Sequence, residues 1–211
     1  MKLEQARQSI AQWFARVYAR GLTTAAGGNL SLRVGGHVVI SPSGGDKGAL
    51  QASDCAVVSL EAASRIDGLA PSCELPMHLA IYRARPDVAA IMHAHPVHVS
   101  AFAVCSATLR TDLFAEDYLL VPRLGVAAYH TPSSPALAEA AADAALGCQA
   151  VLLQGHGVLT LGDDLAQCFA RLECLEHTAQ VQWLCLGRRD VRWLSAEQKA
   201  DIDQRLRRGE K

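Results

Sequence analysis

Apolar residues recur at helical spacing in several stretches of the chain. The first stretch, which Gly21 ends, has helical spacing of its apolar residues Leu3, Ala6, Ile10, Phe14, Val17 and Tyr18. Prolines in a first turn and capping serines mark the starts of three later stretches. The predicted helices are 3–20, 74–83, one that starts near residue 96, 134–147, 163–186 and a short last one capped by Ser195.

Short runs of alternating or continuous apolar residues predict strands between these helices. The predicted strands are 30–34, 37–41, 55–60, 88–93, 150–153 and 158–160. Gly35 and Gly36 fit a hairpin turn between the first two strands. Strands and helices mix without a regular βαβ alternation, and no linker or repeat interrupts them. We therefore expect an α/β protein: one three-layer α/β/α domain over residues 1–211, around a mainly antiparallel or mixed sheet.

Composition narrows the classes of function. The 211 residues are 50% hydrophobic and carry a formal net charge of -1, which argues against disorder. Lys and Arg form no basic stripe, so nucleic-acid binding is not expected. No apolar run reaches the ~18 residues of a membrane span, and the first residues do not resemble a signal segment. The seven cysteines include no CxxC pair and read as reduced, which predicts a cytoplasmic protein.

Three histidines form the sharpest candidate for a metal site. His93 and His95 are two residues apart at the end of an apolar strand, so both side chains can point to one face. Two hydrogen-bonded or surface histidines would give the same short string. A third, His156, follows a second apolar strand and lies between Gly155 and Gly157. Three imidazoles with one open coordination position are typical of catalytic zinc.

For the other five histidines, structural or surface roles are expected rather than metal binding. His98 lies past Pro96 on the predicted helix, and we expect it to be hydrogen-bonded locally or to line a pocket. His78 lies four residues after Glu74 on one helix, where a core or supporting role is expected. His37, His130 and His177 belong to no constellation and are interpreted as surface or packing residues.

Three segments offer groups that bind anions. The loop that ends at Asn29 and the loop with Ser43 and Gly44 can present backbone N–H groups beside a polar side chain. Ser72 lies at a predicted helix start, where the dipole favours negative charge. Glu74 is at the same helix start, where a carboxylate often only complements the dipole. Each segment alone is an ordinary turn, but together they suggest a phosphate near the metal candidate.

Five motifs in order give the chain a resemblance to the class II aldolase/adducin family, over roughly residues 5–187. The motifs are GGNLSLR (27–33), ISPSG (40–44), PSCELPMH (71–78), IMHAHPVH (91–98) and LQGHG (153–157). The resemblance implies a single α/β/α domain, a homotetramer with sites at subunit interfaces, and a phosphorylated sugar as substrate. Within the family the chain looks most like aldolases of the L-fuculose-phosphate type.

The resemblance also implies roles for individual residues. In such aldolases the residues that match His93, His95 and His156 hold Zn²⁺, and the match to Glu74 is the acid/base. Phosphate is bound by the matches to Asn29, Ser43, Gly44 and Ser72. Tyr118 matches, in an alignment that needs gaps, a tyrosine that assists the aldehyde half from a neighbouring subunit; the alternative role for Tyr118 is simple packing. The expected reaction is retro-aldol cleavage of a ketose 1-phosphate, with a Glu74 whose pKa is raised by its surroundings.

Departures from the family pattern keep alternatives open. Cys73 replaces the usual second serine of the phosphate site, and a thiol donates hydrogen bonds poorly. Decarboxylases of phosphorylated 3-oxo-tetronates carry lysine there, and the 4-epimerases carry aspartate where Glu74 stands. The loop 43–48 looks more like that of methylthioribulose-phosphate dehydratases. A non-enzymatic, adducin-like interaction domain is the alternative from another class, and imidazoles also accept divalent ions other than zinc.

Overall fold

The computed structural model describes residues 1–208. Its helices are α1 (Leu3–Ala19), α2 (Leu75–Ala84), α3 (Val97–Val104), α4 (Ala115–Leu120), α5 (Pro135–Ala144), α6 (Leu165–Leu184) and α7 (Ala196–Arg207). Its strands are β1 (Asn29–Val34), β2 (His37–Ile40), β3 (Ala56–Ser59), β4 (Arg65–Asp67), β5 (Ala90–Ala94), β6 (Leu124–Ala127), β7 (Ala150–Leu153) and β8 (Gly157–Gly162). Within the described residues, no helix is both long enough and apolar enough to cross a membrane.

The strands form one eight-stranded sheet in the order β4-β3-β2-β1-β5-β8-β7-β6. Neighbouring strands are antiparallel, except that β6 and β7 are parallel. The predicted mainly antiparallel or mixed sheet is therefore confirmed. The two central strands, β1 and β5, pair with Asn29 opposite His93. This register places Asn29, at the end of the first predicted anion-binding loop, beside His93 of the candidate metal site.

Helices cover both faces of the sheet, which gives the three layers that the sequence predicts. One core packs α1, α3 and α6 against one face, with Phe14, Phe102 and Leu172 among its buried side chains. The other core packs α2 and α5 against the opposite face through residues such as Ile81, Tyr82 and Leu137. Strands β7 and β8 lie between the two cores, and all of their residues are buried.

Three elements were not predicted from the sequence because they are short or exposed. Strand β4 has three residues, all exposed, and helix α4 has six. Strand β6 lies at the sheet edge and contains Gly125, which lowers strand propensity. None of them offers a full period of buried apolar positions. The last helix agrees with its prediction, because Ser195 and Gln198 form the expected capping box.

Candidate metal centre

Two neighbouring strands bring the three histidines together. His93 is in β5, His95 follows the end of that strand, and His156 lies in the turn between β7 and β8. Strand β5 pairs directly with β8, with Ala94 opposite Val158. The turn that carries His156 is therefore beside the end of β5, although more than sixty residues separate them in the chain.

The three imidazoles converge on one point. Their ligand atoms all lie within 4.8 Å of one another, the only such set of His, Cys, Asp and Glu ligands in residues 1–208. The Nε2 atoms of His93 and His95 are 2.9 Å apart. The centroid of the His156 ring is 4.7 Å from that of His93 and 5.2 Å from that of His95. The side chain of His93 is fully buried and those of His95 and His156 are partly buried.

Hydrogen bonding orients one of these rings as a ligand, and burial favours the neutral form of the other two. Nδ1 of His93 lies 3.0 Å from the carbonyl oxygen of Val158, which can only accept, so Nδ1 carries the proton. Burial, together with the neighbouring His93 and His156, lowers the pKa of His95 to about 3. Burial also lowers the pKa of His156. A set of three imidazoles, one oriented through its Nδ1–H and two with lowered pKa values, therefore fits a divalent transition metal ion.

At position 157, directly after His156, there is room only for a glycine. A Cβ atom at Gly157 would lie 2.5 Å from Cδ2 of His95 and 2.7 Å from the carbonyl oxygen of Ala94. Gly155, on the other side of His156, has φ +66°, which is costly for other residues. The glycines seen in the sequence thus allow the turn to approach the end of β5.

Glu74 lies against two of the three histidines. Its Oε2 is 3.2 Å from Nε2 of His93, and its Oε1 is 3.3 Å from Nε2 of His156. Asn29 donates from Nδ2 to the same Oε2 at 2.8 Å. In the described residues Oε1 is buried and, apart from its contact with Nε2 of His156, has no hydrogen-bond partner. The carboxylate therefore faces the point where the imidazoles converge.

The pKa of Glu74 moves in the opposite direction to the expectation. Burial favours the neutral acid, but the contacts with His93 and Asn29 outweigh burial and hold the pKa of Glu74 well below its usual range. The prediction that the surroundings raise this pKa is therefore wrong. At neutral pH Glu74 is a carboxylate, the form that can accept a proton, but the lowered pKa makes it a weaker base.

The two later anion segments lie side by side. The N–H of Ser43 donates to the carbonyl of Ala70, and the N–H of Ser72 donates to that of Ser41. Ser43 and Gly44 are exposed, and Ser72 is buried two residues before Glu74. The Ser72 hydroxyl accepts from the N–H of Glu74 at 3.3 Å, in front of α2. The structure thus gathers these residues around the start of one helix.

A buried lysine under the Ser43 loop was missed by sequence reasoning. Lys47 is only 2% exposed, and its Nζ donates to the carbonyls of Pro42 and Gly44, each at 2.6 Å. Nζ also lies 5.8 Å from the centre of the Phe14 ring. Burial lowers the pKa of Lys47. The sequence shows Lys47 only as a lysine between Asp46 and Gly48 in a polar loop, which gives no sign of burial, so only the packing reveals it.

Three other residues that the sequence singled out have hydrogen-bond partners outside the three histidines. The Tyr118 hydroxyl donates to the carboxylate of Asp203 at 3.2 Å and joins α4 to α7, so one chain does not bring it to the histidines. His98 is hydrogen-bonded to a distant residue of α6 rather than locally, because its Nδ1 lies 2.7 Å from Glu176 Oε1. His78 is fully buried and contacts Asn29 and Ser31.

Comparison with known proteins gives consistent matches over most of the chain. Residues 8–183 match the model of the family described as Class II Aldolase and Adducin N-terminal domain. The chain is 32% identical over 194 residues to a 3-oxo-tetronate 4-phosphate decarboxylase of Haemophilus influenzae, covering 89% of this chain and 91% of the relative. It is also 32% identical over 169 residues to an L-fuculose phosphate aldolase of Methanococcus maripaludis, covering 80% and 91%.

The fold is also shared with a solved structure. The YgbL protein of Klebsiella pneumoniae superimposes with a TM-score of 0.88 at 30% sequence identity. The match covers 96% of this chain and 99% of that protein. The fold of this chain is thus shared by that protein over nearly its whole length.

Proposed function

Because the chain belongs to the Class II Aldolase and Adducin N-terminal domain family, we propose that it is a zinc-dependent lyase. The proposed reaction is the retro-aldol cleavage of a ketose 1-phosphate to dihydroxyacetone phosphate and an aldehyde. The curated relatives described above include an aldolase and a decarboxylase of phosphorylated compounds. A phosphorylated small molecule is therefore the substrate class that these relatives support.

One observation carries the proposal: three imidazoles and a buried carboxylate meet at one point. His93, His95 and His156 would hold the ion, since their ligand atoms lie within 4.8 Å of one another. A structural zinc site is more often closed by four ligands, commonly cysteines. When bound, the ion supplies Lewis-acid polarisation of the oxygens of the substrate. Three protein ligands leave a position open for those oxygens.

Glu74 is proposed as the group that moves the proton. As a carboxylate it can remove a proton from dihydroxyacetone phosphate in the condensation direction. By microscopic reversibility it returns that proton to the same carbon in cleavage. Its Oε2 is held by Asn29 at 2.8 Å, so the carboxylate does not rotate freely. Its position beside His93 would put the proton acceptor next to the reacting carbon atoms.

The phosphate of the substrate is assigned to the segments at the start of α2. Ser43, Gly44 and Ser72 would provide N–H and hydroxyl groups, and the remaining Nδ2 proton of Asn29 would add another donor. The Lys47 ammonium lies directly under this loop, 2.6 Å from the carbonyl oxygen of Gly44. A buried cation and a helix start both favour an anion at this place.

The proposal includes an oligomer and a compartment. We expect a cytoplasmic homotetramer with active sites at subunit interfaces. Tyr118 would then assist the aldehyde half in a neighbouring subunit rather than in its own. The hydrogen bond of the Tyr118 hydroxyl to Asp203 of α7, in the same chain, is compatible with this arrangement. Mass photometry tests whether the protein is a tetramer. A Tyr118→Phe variant mixed with inactive Glu74→Gln subunits tests whether Tyr118 acts in a neighbouring subunit.

The deciding experiment measures products and metal in the same protein. Zinc-loaded enzyme is incubated with a panel of ketose 1-phosphates, and dihydroxyacetone phosphate is measured by a coupled reductase. The variant Glu74→Gln should retain zinc and lose about 10²- to 10⁴-fold in kcat. Glu61→Gln, a change of an exposed carboxylate, is the matched control and should keep its activity. Unchanged turnover in Glu74→Gln would refute the proton-transfer role.

Decarboxylation of a phosphorylated 3-oxo acid is the second candidate, because a relative at 32% identity carries that description. Loss of CO₂ from such an acid and retro-aldol cleavage both leave a carbanion beside a carbonyl, so one site suits either. Cys73 stands where such decarboxylases carry lysine, and this departure favours the aldolase. Release of CO₂ from 3-oxo-tetronate 4-phosphates, without dihydroxyacetone phosphate from any ketose, would reverse the choice.

Two further alternatives are separated by the same measurements. A dehydratase would convert methylthioribulose 1-phosphate with loss of water and would release no triose. An adducin-like interaction domain would purify without stoichiometric zinc and would turn over no member of the panel. Elemental analysis of the purified protein therefore comes first, and the substrate panel follows.

A further inference from the structure

Polar side chains of strand β1 and helix α2 interdigitate behind the metal centre. Asn29 and Ser31 alternate along β1 and so share one face of the strand. Glu74, His78 and Tyr82 are spaced by four residues at the start of and along α2, and so share one helix face. Two residues of strand advance ~6.7 Å and four residues of helix advance ~6.0 Å. The near match lets the two rows alternate.

The interdigitated side chains are joined by an unbroken series of hydrogen bonds. Asn29 Nδ2 donates to Glu74 Oε2 at 2.8 Å, and Asn29 Oδ1 lies 2.5 Å from His78 Nε2. The other ring nitrogen, His78 Nδ1, is 2.6 Å from Ser31 Oγ, which is 2.8 Å from the hydroxyl of Tyr82. All five side chains are buried. Bulk water therefore does not compete for these bonds.

The direction of each bond follows from the carboxylate. Glu74 can only accept, so Asn29 presents its NH₂ group to Glu74 and its carbonyl oxygen to His78. His78 must then carry a proton on Nε2 to donate to that oxygen. Full burial without a facing carboxylate keeps the ring neutral, so Nδ1 accepts from the hydroxyl of Ser31. Ser31 in turn accepts from Tyr82, and every bond points towards Glu74.

We propose that His78 is a positioning residue, which fixes the orientation of the Asn29 amide and through it the carboxylate of Glu74. Without the His78 Nε2–H donor, Asn29 could rotate by half a turn about its amide and place its oxygen against the carboxylate. That arrangement repels Glu74 and would turn its Oε2 away from His93. The catalytic meaning of this orientation rests on the proposed function, but the bond pattern itself does not.

The first test reads the protonation of the ring in the intact protein. Long-range ¹H–¹⁵N correlation spectra of uniformly labelled, zinc-loaded enzyme at neutral pH separate the two ring nitrogens of each histidine. The His78→Gln variant identifies the signals of His78. We expect a protonated Nε2 and an unprotonated Nδ1. The opposite tautomer, or a ring protonated at both nitrogens, would overturn the proposal, whatever activity the enzyme has.

The second test separates positioning from a merely structural role. His78→Phe removes the donor to Asn29 at similar volume and should lose ~10- to 100-fold in kcat, with zinc content and KM little changed. His78→Gln retains an N–H donor and should recover part of the loss. Thr178→Val removes a buried hydroxyl from α6, on the other face of the sheet, and controls for general loosening of the core.

The outcomes distinguish this inference from the proposed function. A folded His78→Phe enzyme with full activity, or one that loses zinc in proportion to activity, contradicts the positioning role. If His78→Phe does not fold, the tautomer measurement on the wild-type protein still decides. If Glu74→Gln is fully active while His78 shows the expected tautomer, the proton-transfer proposal fails and the orientation of Asn29 by His78 stands.

Discussion

Nε2 of His93 lies 2.9 Å from Nε2 of His95, although neither nitrogen has a proton to give the other in the neutral, ligating form of the rings. The proton of His93 is on Nδ1, which faces the carbonyl of Val158 at 3.0 Å. Oε2 of Glu74 is a third acceptor, 3.2 Å from the same Nε2 of His93. Three lone-pair atoms this close repel one another unless a cation, either a shared proton or a metal ion, lies among them. This crowding has consequences for stability that can be measured.

Metal binding should stabilise the folded protein strongly. A ligand that binds only the folded state at 1,000 times its Kd adds ~4 kcal/mol, so zinc should raise the Tm of the chelator-treated protein by several degrees. His95→Ala should remove most of this rise, because it deletes one of three ligands. The measurement is a thermal melt with and without added zinc, followed by elemental analysis.

The control for this experiment is His177→Ala, since His177 is exposed on α6 and outside the ligand set. Its melting curve should respond to zinc like that of the wild type. A wild-type protein whose Tm does not respond to zinc, manganese or cobalt would remove the basis for a metal centre.

Gly157→Ala should weaken metal binding without touching a ligand. The new methyl group would lie 2.5 Å from Cδ2 of His95, so the ring must shift. We expect the Kd for zinc to rise by about 10-fold or more, and the folded state to lose ~1–3 kcal/mol. Competition with a chromogenic chelator gives the Kd, and urea unfolding gives the free energy.

The matched control is Gly36→Ala in the hairpin turn, where a Cβ atom meets nothing within 4 Å. Its effect on zinc affinity should be undetectable. Equal zinc affinity in Gly157→Ala and the wild type would mean that the turn can move away from His95, and the assigned role of Gly157 would be lost.

Lys47→Met should reduce the affinity for inorganic phosphate. Methionine fills the space of the lysine stem but cannot donate to the carbonyls of Pro42 and Gly44, and it removes the buried positive charge. We expect a loss of about 10-fold, or ~1.4 kcal/mol, in calorimetric titrations of zinc-loaded protein with phosphate. Lys2→Met, at an exposed position, should bind phosphate like the wild type. Unchanged affinity in Lys47→Met would exclude the lysine from the anion site.

Asp112 should contribute to stability in a pH-dependent way. Its carboxylate accepts from Arg110 and from Lys199 of α7. The hydrogen bond from Arg110, aided by Lys199, outweighs burial and lowers the pKa of Asp112. A pKa that is lower in the folded state stabilises the protein above the unfolded value of ~3.9, and this stabilisation is lost as the pH falls through the folded value.

Asp112→Asn should therefore cost about 1 kcal/mol at pH 7, and the difference from wild type should shrink as the pH falls below ~3.9. Urea unfolding at a series of pH values measures it. Asp190→Asn breaks an exposed pair with Arg188 and should have a much smaller effect. A constant difference between Asp112→Asn and wild type at all pH values would assign the cost to packing rather than to charge.

Much of the fold could be predicted from local patterns. The helices around Phe14 and Leu172 and the strand before His93 each carry at least one full period of buried apolar residues, so sequence alone located them. The short edge elements β4, α4 and β6 could not be found in this way. Their stability comes from neighbours in the sheet and from α6, not from a pattern within the element.

The candidate site, like the fold, could be predicted from the sequence only in part. Sequence motifs identified the histidines, Glu74 and the anion segments, because the residue types and their spacing are local. They could not give the bond from Asn29 to Glu74, the buried ammonium of Lys47 or the orientation of His78. These depend on the pairing of β1 with β5 and on the packing of α2 over β1.

The sequence by itself determined which side chains can bind a cation and which family the chain belongs to, since both are properties of residue type and order. Only the tertiary structure decided that the pKa of Glu74 falls rather than rises. The direction depends on whether burial or the contacts with His93 and Asn29 dominate, and that balance exists only after distant segments have packed together.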